Sequence, residues 1–214
     1  MIDPALLVIA KAPVAGRSKT RLCPPCTPGQ AAALAEAALR DTLAAVLATP
    51  AARHVLVLDG EPGSWLPPSL PIVEQRGDGL AERIAAAFQD AGAPALLIGM
   101  DTPQVSSAWL AAGLDLLRHG SDAVLGLAPD GGYWAIGLRD ADDRAFAGVP
   151  MSEADTGERQ RARLEELGLR TAMLPALRDI DEIADARAIA AVAPDGRFAA
   201  ALNAMGLADG AWVA

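Results

Sequence analysis

Positive charge, cysteine, histidine and long apolar runs are all scarce in this sequence, and each shortage removes a class of function. Its 18 Lys and Arg face 27 Asp and Glu, for a formal net charge of −9. A nucleic-acid partner requires many bases on one face to displace counterions, so no nucleic acid is expected and small substrates are favoured. No stretch reaches the roughly 18 to 20 uninterrupted apolar residues that cross a bilayer. The opening Met1-Ile2-Asp3-Pro4 carries an acid where a secretory leader carries bases, which predicts a cytoplasmic protein without membrane insertion. The two cysteines stand together as Cys23-Pro24-Pro25-Cys26. A thioredoxin-like pair of that spacing follows a βαβ start that is missing here, so a redox role is the outside alternative. Only His54 and His119 remain as soft ligands, at no finger-like distance from the pair, so zinc is disfavoured as well.

What is present is a chain of 214 residues, 52% hydrophobic, enough for a sizeable core in one α/β domain. Apolar runs alternate with longer amphipathic segments, the pattern of βαβ units and a mostly parallel central sheet. Strands are expected over residues 5–10, 54–59, 71–74, 95–99, 123–127, 133–138 and 169–174. Thr27-Pro28-Gly29-Gln30 offers a hydroxyl cap, a proline at the first helical position and a glutamine three residues on, which starts a helix to about residue 48. Further helices are expected over residues 80–90 and 107–118, and from a capping serine in Ser152-Glu153-Ala154-Asp155 to about residue 167. Alanine-rich helical sequence closes the chain, with a break at Pro194-Asp195-Gly196.

The chemistry is densest in the first loop, Lys11-Ala12-Pro13-Val14-Ala15-Gly16-Arg17-Ser18-Lys19-Thr20-Arg21-Leu22. Lys11, Arg17, Lys19 and Arg21 are a local excess of positive charge in an acidic chain, which points to an anionic ligand there. The loop leaves the carboxyl end of the first strand, where open α/β sheets bind ligands. Gly16 allows close backbone approach, and the turn's amides are expected to form an anion-binding nest. A Walker loop needs two glycines and a different spacing to the lysine, and a dinucleotide loop needs three glycines, so both are excluded. Asp101 follows another apolar strand and emerges at the same edge of the sheet. Asp179 and Asp181, spaced by two, face one side if extended, although acids there also suit the cap of the following helix.

The ordered set formed by this loop, Gly99-Met100-Asp101-Thr102-Pro103, Asp130-Gly131-Gly132-Tyr133 and Asp179-Ile180-Asp181 resembles bacterial transferases of the nucleotide-diphospho-sugar (GT-A) fold. It is most similar to the uncharacterised radical-SAM/selenodomain-associated transferase family, and more distantly to the phosphoenolpyruvate or 2-phospholactate guanylyltransferases. The resemblance implies a single domain over residues 1–214, with a three-layer α/β/α Rossmann-like fold and a mostly parallel sheet. It implies that Gly16, Arg17, Lys19 and Arg21 hold donor phosphates, with Lys11 joining them or holding the strand end. Gln75, Gly79 and Arg83 would lie beside base and ribose; an Arg83 paired on a solvated helix face is the plainer alternative. Asp101, Asp179 and Asp181 would hold Mg²⁺ or Mn²⁺, which offsets charge on the leaving group. Lys19, Asp101 and Asp130 would act in catalysis, with Asp130 placing the acceptor, unless Asp130 to Trp134 is a plain turn with the indole in the core.

The implied activity is metal-dependent transfer of a glycosyl or nucleotidyl group from a nucleotide sugar or nucleoside triphosphate. Guanylyl transfer to a phosphorylated carboxylic acid such as phosphoenolpyruvate, and a non-catalytic nucleotide-binding module, remain alternatives. Base, transferred group, acceptor and oligomeric state are left open. The transferase reading requires Lys19 to lie close to Asp101.

Overall fold

Strand and helix alternate along most of the chain. In the computed structural model, which describes residues 3–208, the strands are β1 (Ala5–Lys11), β2 (His54–Asp59), β3 (Ile72–Glu74), β4 (Ala95–Gly99), β5 (Ala123–Leu127), β6 (Tyr133–Leu138) and β7 (Thr171–Leu174). The helices are α1 (Pro28–Leu47), α2 (Leu80–Ala91), α3 (Ser107–Arg118), α4 (Thr156–Glu166), α5 (Ile183–Val192) and α6 (Arg197–Ala204). The Met1-Ile2 start used in reading for a leader lies outside the described residues. Among those residues no helix is long and apolar enough to cross a membrane.

One sheet runs β3-β2-β1-β4-β6-β5-β7. All neighbours are parallel except β6, which is antiparallel to both β4 and β5. Alternation along β1 sends Leu6, Val8 and Ala10 to one face and Ala5 and Leu7 to the other. On the first face Leu39, Leu43 and Val46 of α1 join Leu110, Leu114 and Leu117 of α3. On the second, Ile84 and Phe88 of α2 pack beside Leu164 of α4. The result is the three-layer α/β/α architecture with a mostly parallel sheet that the sequence predicts. A third cluster lies outside α1, where Leu34 and Ala38 meet Ile189 of α5 and Phe198 and Leu202 of α6.

Capping marks the start of three of the six described helices, α1, α3 and α5. The Thr27 hydroxyl accepts from the Gln30 amide while the Gln30 side chain accepts from the Thr27 amide, the reciprocal cap expected from sequence. The start of α4 is a correction. Ser152 sits at φ 63°, a left-handed conformation that no N-cap adopts, and the helix begins at Thr156 instead. The Thr156 hydroxyl accepts from the Glu153 amide and donates to the Pro150 carbonyl, tying a turn ahead of the helix. At α5 the capping box is made by Glu182 and Asp185, which removes the alternative that Asp179 and Asp181 cap this helix. Strand ends differ from expectation by one or two residues, and the break before α6 falls at the expected Pro194-Asp195-Gly196.

The strand order creates an opening along one edge of the sheet. From β1 the chain steps to β2 and β3 on one side, then returns to place β4 on the other. Loops leaving the carboxyl ends of β1 and β4 therefore diverge, opening a crevice at a topological switch point. Because β6 runs the opposite way, its start brings the turn before Tyr133 to the same edge.

Candidate functional site

A cleft of about 780 Å³ occupies that edge, lined by the ends of β1 and β4, the start of β6, the start of α2 and the segments before α4 and α5. The first loop closes one end. Arg17 and Ser18 both donate their amides to the Val14 carbonyl, at 3.0 and 2.9 Å, and Ser18 Oγ accepts from the Val14 amide. These amides close the turn on itself, so the expected anion-binding nest is not formed by Arg17 and Ser18. Gly16, at φ 77° and with open space beside it, and Arg17 lie on the exposed crown and do not line the cleft. Lys19 then adopts a left-handed conformation at φ 49°, and this bend turns its side chain inward ahead of a 3-10 turn over Thr20–Leu22.

Lys19 Nζ stands 2.8 Å from Asp101 Oδ2 and donates to the Ile180 carbonyl. Arg21 holds both oxygens of Asp181, at 2.8 and 2.6 Å. Lys11, at the end of β1, is exposed and lines the cleft, and its amide donates to Met100 Sδ at 3.2 Å. The structure thus brings Lys19, Asp101, Arg21 and Asp181 together across the β1–β4 crevice.

The acids are unequal. Asp101 Oδ1 is buried without a hydrogen-bond partner, as is the hydroxyl of neighbouring Thr102. The Asp179 carboxyl is pushed up to about 6 by its burial and by the Asp130 carboxylate, with Lys19 opposing and Asp101 adding to the rise. Such strain on a charged form is characteristic of a functional carboxylate in a cleft. Asp181 is already neutralised by Arg21. Among the described residues no group of three or more acids, histidines or cysteines stands at metal-holding separation. Asp101, Asp179 and Asp181 are therefore not gathered into one three-acid group; Asp101 keeps an orphaned oxygen, and Asp179 carries a carboxyl whose charged form is disfavoured. The oxygens of Asp101 and Asp179 are of the hard kind that suits a Mg²⁺- or Mn²⁺-like ion.

The wall on the β2 side departs from expectation at Gln75. Its amide nitrogen donates to the Ala10 and Val57 carbonyls at 2.7 and 3.1 Å, and its oxygen accepts from Arg83. Gln75 thus ties β1 and β2 together and has no amide proton left for a base edge. Arg83 pairs with Asp59 at 3.0 Å and donates to the Gly77 carbonyl, which fixes it on the rim instead of on a solvated helix face. Gly79 is the residue before α2, with open space where a side chain would stand.

Opposite lies the turn before β6. Asp130 Oδ1 accepts from the Gly132 amide at 2.8 Å, which leaves the carboxylate facing the cleft rim. Trp134 belongs to the core: it is 3% exposed, and its indole donates to the Pro175 carbonyl. Tyr133 takes the aromatic place at the cleft, where burial raises its hydroxyl above the ordinary tyrosine range and the sulfur of Met151 is its contact at 3.6 Å. The turn packs backbone to backbone against the approach to α4, since Gly157 donates to the Gly131 carbonyl at 2.7 Å and a Cβ on Gly131 would overlap the Ala154 carbonyl oxygen.

This packing brings in Met151, which sequence reasoning did not select, and places at the cleft three residues it named only within longer segments, Asp78, Thr102 and Glu153, the last read as helix capping first and acceptor contact second. Asp59, an acid ending a parallel strand, is not selected although it obeys the rule that selected Asp101. Cys23 and Cys26 are free thiols, and Cys26 is buried against Leu22, Ala31 and Leu34 with its thiol pushed up by burial. It is a packing residue in that environment, not an activated thiolate.

With the geometry in place, known proteins supply the context. A family model described as an uncharacterized protein conserved in bacteria (DUF2064) matches residues 33–153. None of the curated proteins matches the chain. A solved structure of a candidate nucleotide-diphospho-sugar transferase from Desulfovibrio desulfuricans G20 is 26% identical, with a TM-score of 0.88 and 97% of each chain covered. A cytidylyltransferase from Leptospira borgpetersenii serovar Hardjo-bovis is 12% identical, with a TM-score of 0.61 and full coverage of both chains. CMP:2-keto-3-deoxy-manno-octonic acid synthetase complexed with CTP is also 12% identical, with a TM-score of 0.57 over 90% of this chain and 99% of its own. The last two show likeness of fold alone. The fold is that of the nucleotide-diphospho-sugar transferase superfamily.

Proposed function

The chain belongs to the DUF2064 family, and from that premise we propose that it is a single-domain, cytoplasmic group transferase acting on a nucleotide-activated donor and a small acceptor. The donor is a nucleoside triphosphate or a nucleoside-diphospho-sugar, and the group passed on is nucleotidyl or glycosyl. The carrying observation is the 2.8 Å contact of Lys19 with Asp101 where the β1 and β4 loops diverge. On this reading a phosphate-binding cation, Lys19, stands against a metal-binding acid, Asp101, that lines the cleft.

Lys19 and Arg21 exchange their carboxylate partners for donor phosphate oxygens, a replacement of like by like in charge and hydrogen bonding. Asp101 and Asp179 would hold a Mg²⁺ or Mn²⁺ ion, which when bound supplies positive charge to the leaving pyrophosphate or nucleoside diphosphate. Asp130, on the opposite wall, orients the acceptor hydroxyl and takes its proton. The acceptor oxygen forms the new bond to phosphorus or to the anomeric carbon. The bond to the leaving phosphate breaks and carries away its electron pair. Arg83, anchored by Asp59, and the apolar side chains of Leu80 and Ile84 flank the place left for base and ribose.

Isothermal titration with a panel of nucleoside triphosphates and nucleotide sugars, with Mg²⁺, with Mn²⁺ and with neither, tests this. At least one donor is expected to bind with an affinity that the ion raises about ten-fold or more. Silence across the whole panel overturns the reading.

A further inference from the structure

We infer that the acceptor half of the cleft takes a hydroxyl-bearing molecule without negative charge, neutral or carrying an ammonium group, and excludes phosphorylated or carboxylated acceptors. The inference rests on the proposed donor chemistry and narrows it.

Acids line the cleft on both sides, Asp78, Asp101, Asp179 and Asp181 on one and Asp130 and Glu153 on the other, but bases line only one. The cations that line it, Lys11, Arg21 and Arg83, come from β1, the loop after it and α2. The wall built from residues 130–135 and 151–156 contributes Asp130 and Glu153 to the lining and no lysine or arginine. Neither acid has a cationic partner: Asp130 accepts from the Gly132 amide, and Glu153 forms no ion pair among the described residues. The arginines nearest in sequence are engaged elsewhere, Arg139 with Asp122 at 2.9 Å, Arg144 with Asp142 at 2.7 Å and Arg159 with Asp155 at 2.7 Å. An anionic acceptor on this wall would meet two carboxylates and no compensating charge, in a cleft where screening is weaker than in bulk water. A phosphate or carboxylate needs the opposite arrangement, an arginine fork or lysine within hydrogen-bond reach.

An independent observation points to the kind of ligand. Thr102 lines the cleft beside Asp101, and its buried hydroxyl has no hydrogen-bond partner among the described residues. The Tyr133 hydroxyl has only a thioether sulfur beside it, at 3.6 Å. Both are uncharged groups that donate and accept, the complement of an alcohol. Asp130 and Glu153 then add attraction for an ammonium group.

Three probes of one shape and different charge separate the outcomes: glucosamine, glucose and glucose 6-phosphate, titrated at low ionic strength into the full chain saturated with magnesium pyrophosphate, which occupies the donor half. Glucosamine is expected to bind at least as tightly as glucose, and glucose 6-phosphate at least ten-fold more weakly than glucose. The double variant Asp130→Asn/Glu153→Gln should bring all three within about three-fold; Asp130→Asn alone should move them in the same direction if the double variant folds poorly. Equal or tighter binding of glucose 6-phosphate, discrimination unchanged by the substitutions, or no binding of any probe overturns the inference. Failure of magnesium pyrophosphate itself to bind is a separate result, and it counts against the donor reading.

Discussion

Asp179 is the residue whose charge state the fold resists most plainly in the cleft. Its carboxyl is pushed from 3.8 up to about 6, first by burial and then by Asp130. Because the folded value exceeds the unfolded one, the folded chain holds this proton more tightly. The stability it contributes is complete below about pH 4 and is lost as pH rises through about 6. A shift of that size corresponds to about 3 kcal/mol, which partial exposure reduces to about 1 kcal/mol. Asp179→Asn is therefore expected to be more stable than the parent by about 1 kcal/mol at pH 7.5 and equal to it at pH 4, by urea unfolding at several pH values. Mg²⁺ binding should fall as pH drops through 6 in the parent, the opposite trend to stability. Lys19 has a different signature. Its side chain is 13% exposed and is Asp101's one ion-pair partner among the described residues, so Lys19→Met leaves a half-buried carboxylate uncompensated and removes a phosphate contact. A loss of donor affinity of about ten- to a hundred-fold is expected by titration, the scale of one charge-assisted hydrogen bond. An affinity within two-fold of the parent would remove Lys19 from the phosphate site.

At the scale of elements, the turn before β6 depends on absent side chains. Gly131 sits at φ 94°, where a Cβ would also overlap the Ala154 carbonyl oxygen, and Gly157 donates across the same contact. Gly131→Ala should destabilise the fold by about 2 kcal/mol or more, from the left-handed conformation and the displacement of the α4 approach. Since Asp130 and Glu153 ride on the two displaced segments, acceptor binding should weaken more than donor binding, a difference that separate titrations of the two would reveal. How much of this is legible in the sequence depends on the range of each contact. The reciprocal cap at Thr27 and Gln30 spans three residues and is read directly from the letters. Asp101 is legible because an acid at the end of an apolar strand must emerge at one edge of a parallel sheet. The Arg21–Asp181 pair, separated by 160 residues, and the meeting of Gly131 with Ala154 depend on how segments pack after folding. Ser152 resembles a cap because serine followed by an acid is a local signal. The Thr156 hydroxyl bonds to Glu153 and Pro150 override it. Gln75 stands near the cleft as expected but in another role, since no sequence pattern shows that its amide protons meet the Ala10 and Val57 carbonyls.

Across the whole molecule, the third hydrophobic cluster connects the cleft to the far side of α1. Leu22, shortly after the Lys19 bend, and Ile180, between Asp179 and Asp181, are 0% and 1% exposed and share this cluster with Phe198 of α6. The α5–α6 pair thus buttresses both segments that carry the candidate phosphate and metal groups, although it contributes no lining residue itself. Truncating Phe198, 2% exposed, to alanine is expected to cost about 3 to 5 kcal/mol. The same cavity should loosen the register between Lys19 and the Asp179–Asp181 segment and lower donor affinity by several-fold. Leu117→Ala provides the control, because that residue is equally buried, at 2% exposure, but belongs to the cluster between α3 and the sheet and not to the third cluster. It is expected to cost about 2 to 5 kcal/mol while leaving donor affinity within about two-fold, measured well below each variant's unfolding transition. Equal loss of affinity in both variants would mean that binding follows global stability alone, and the buttress would then have no specific part in holding the site.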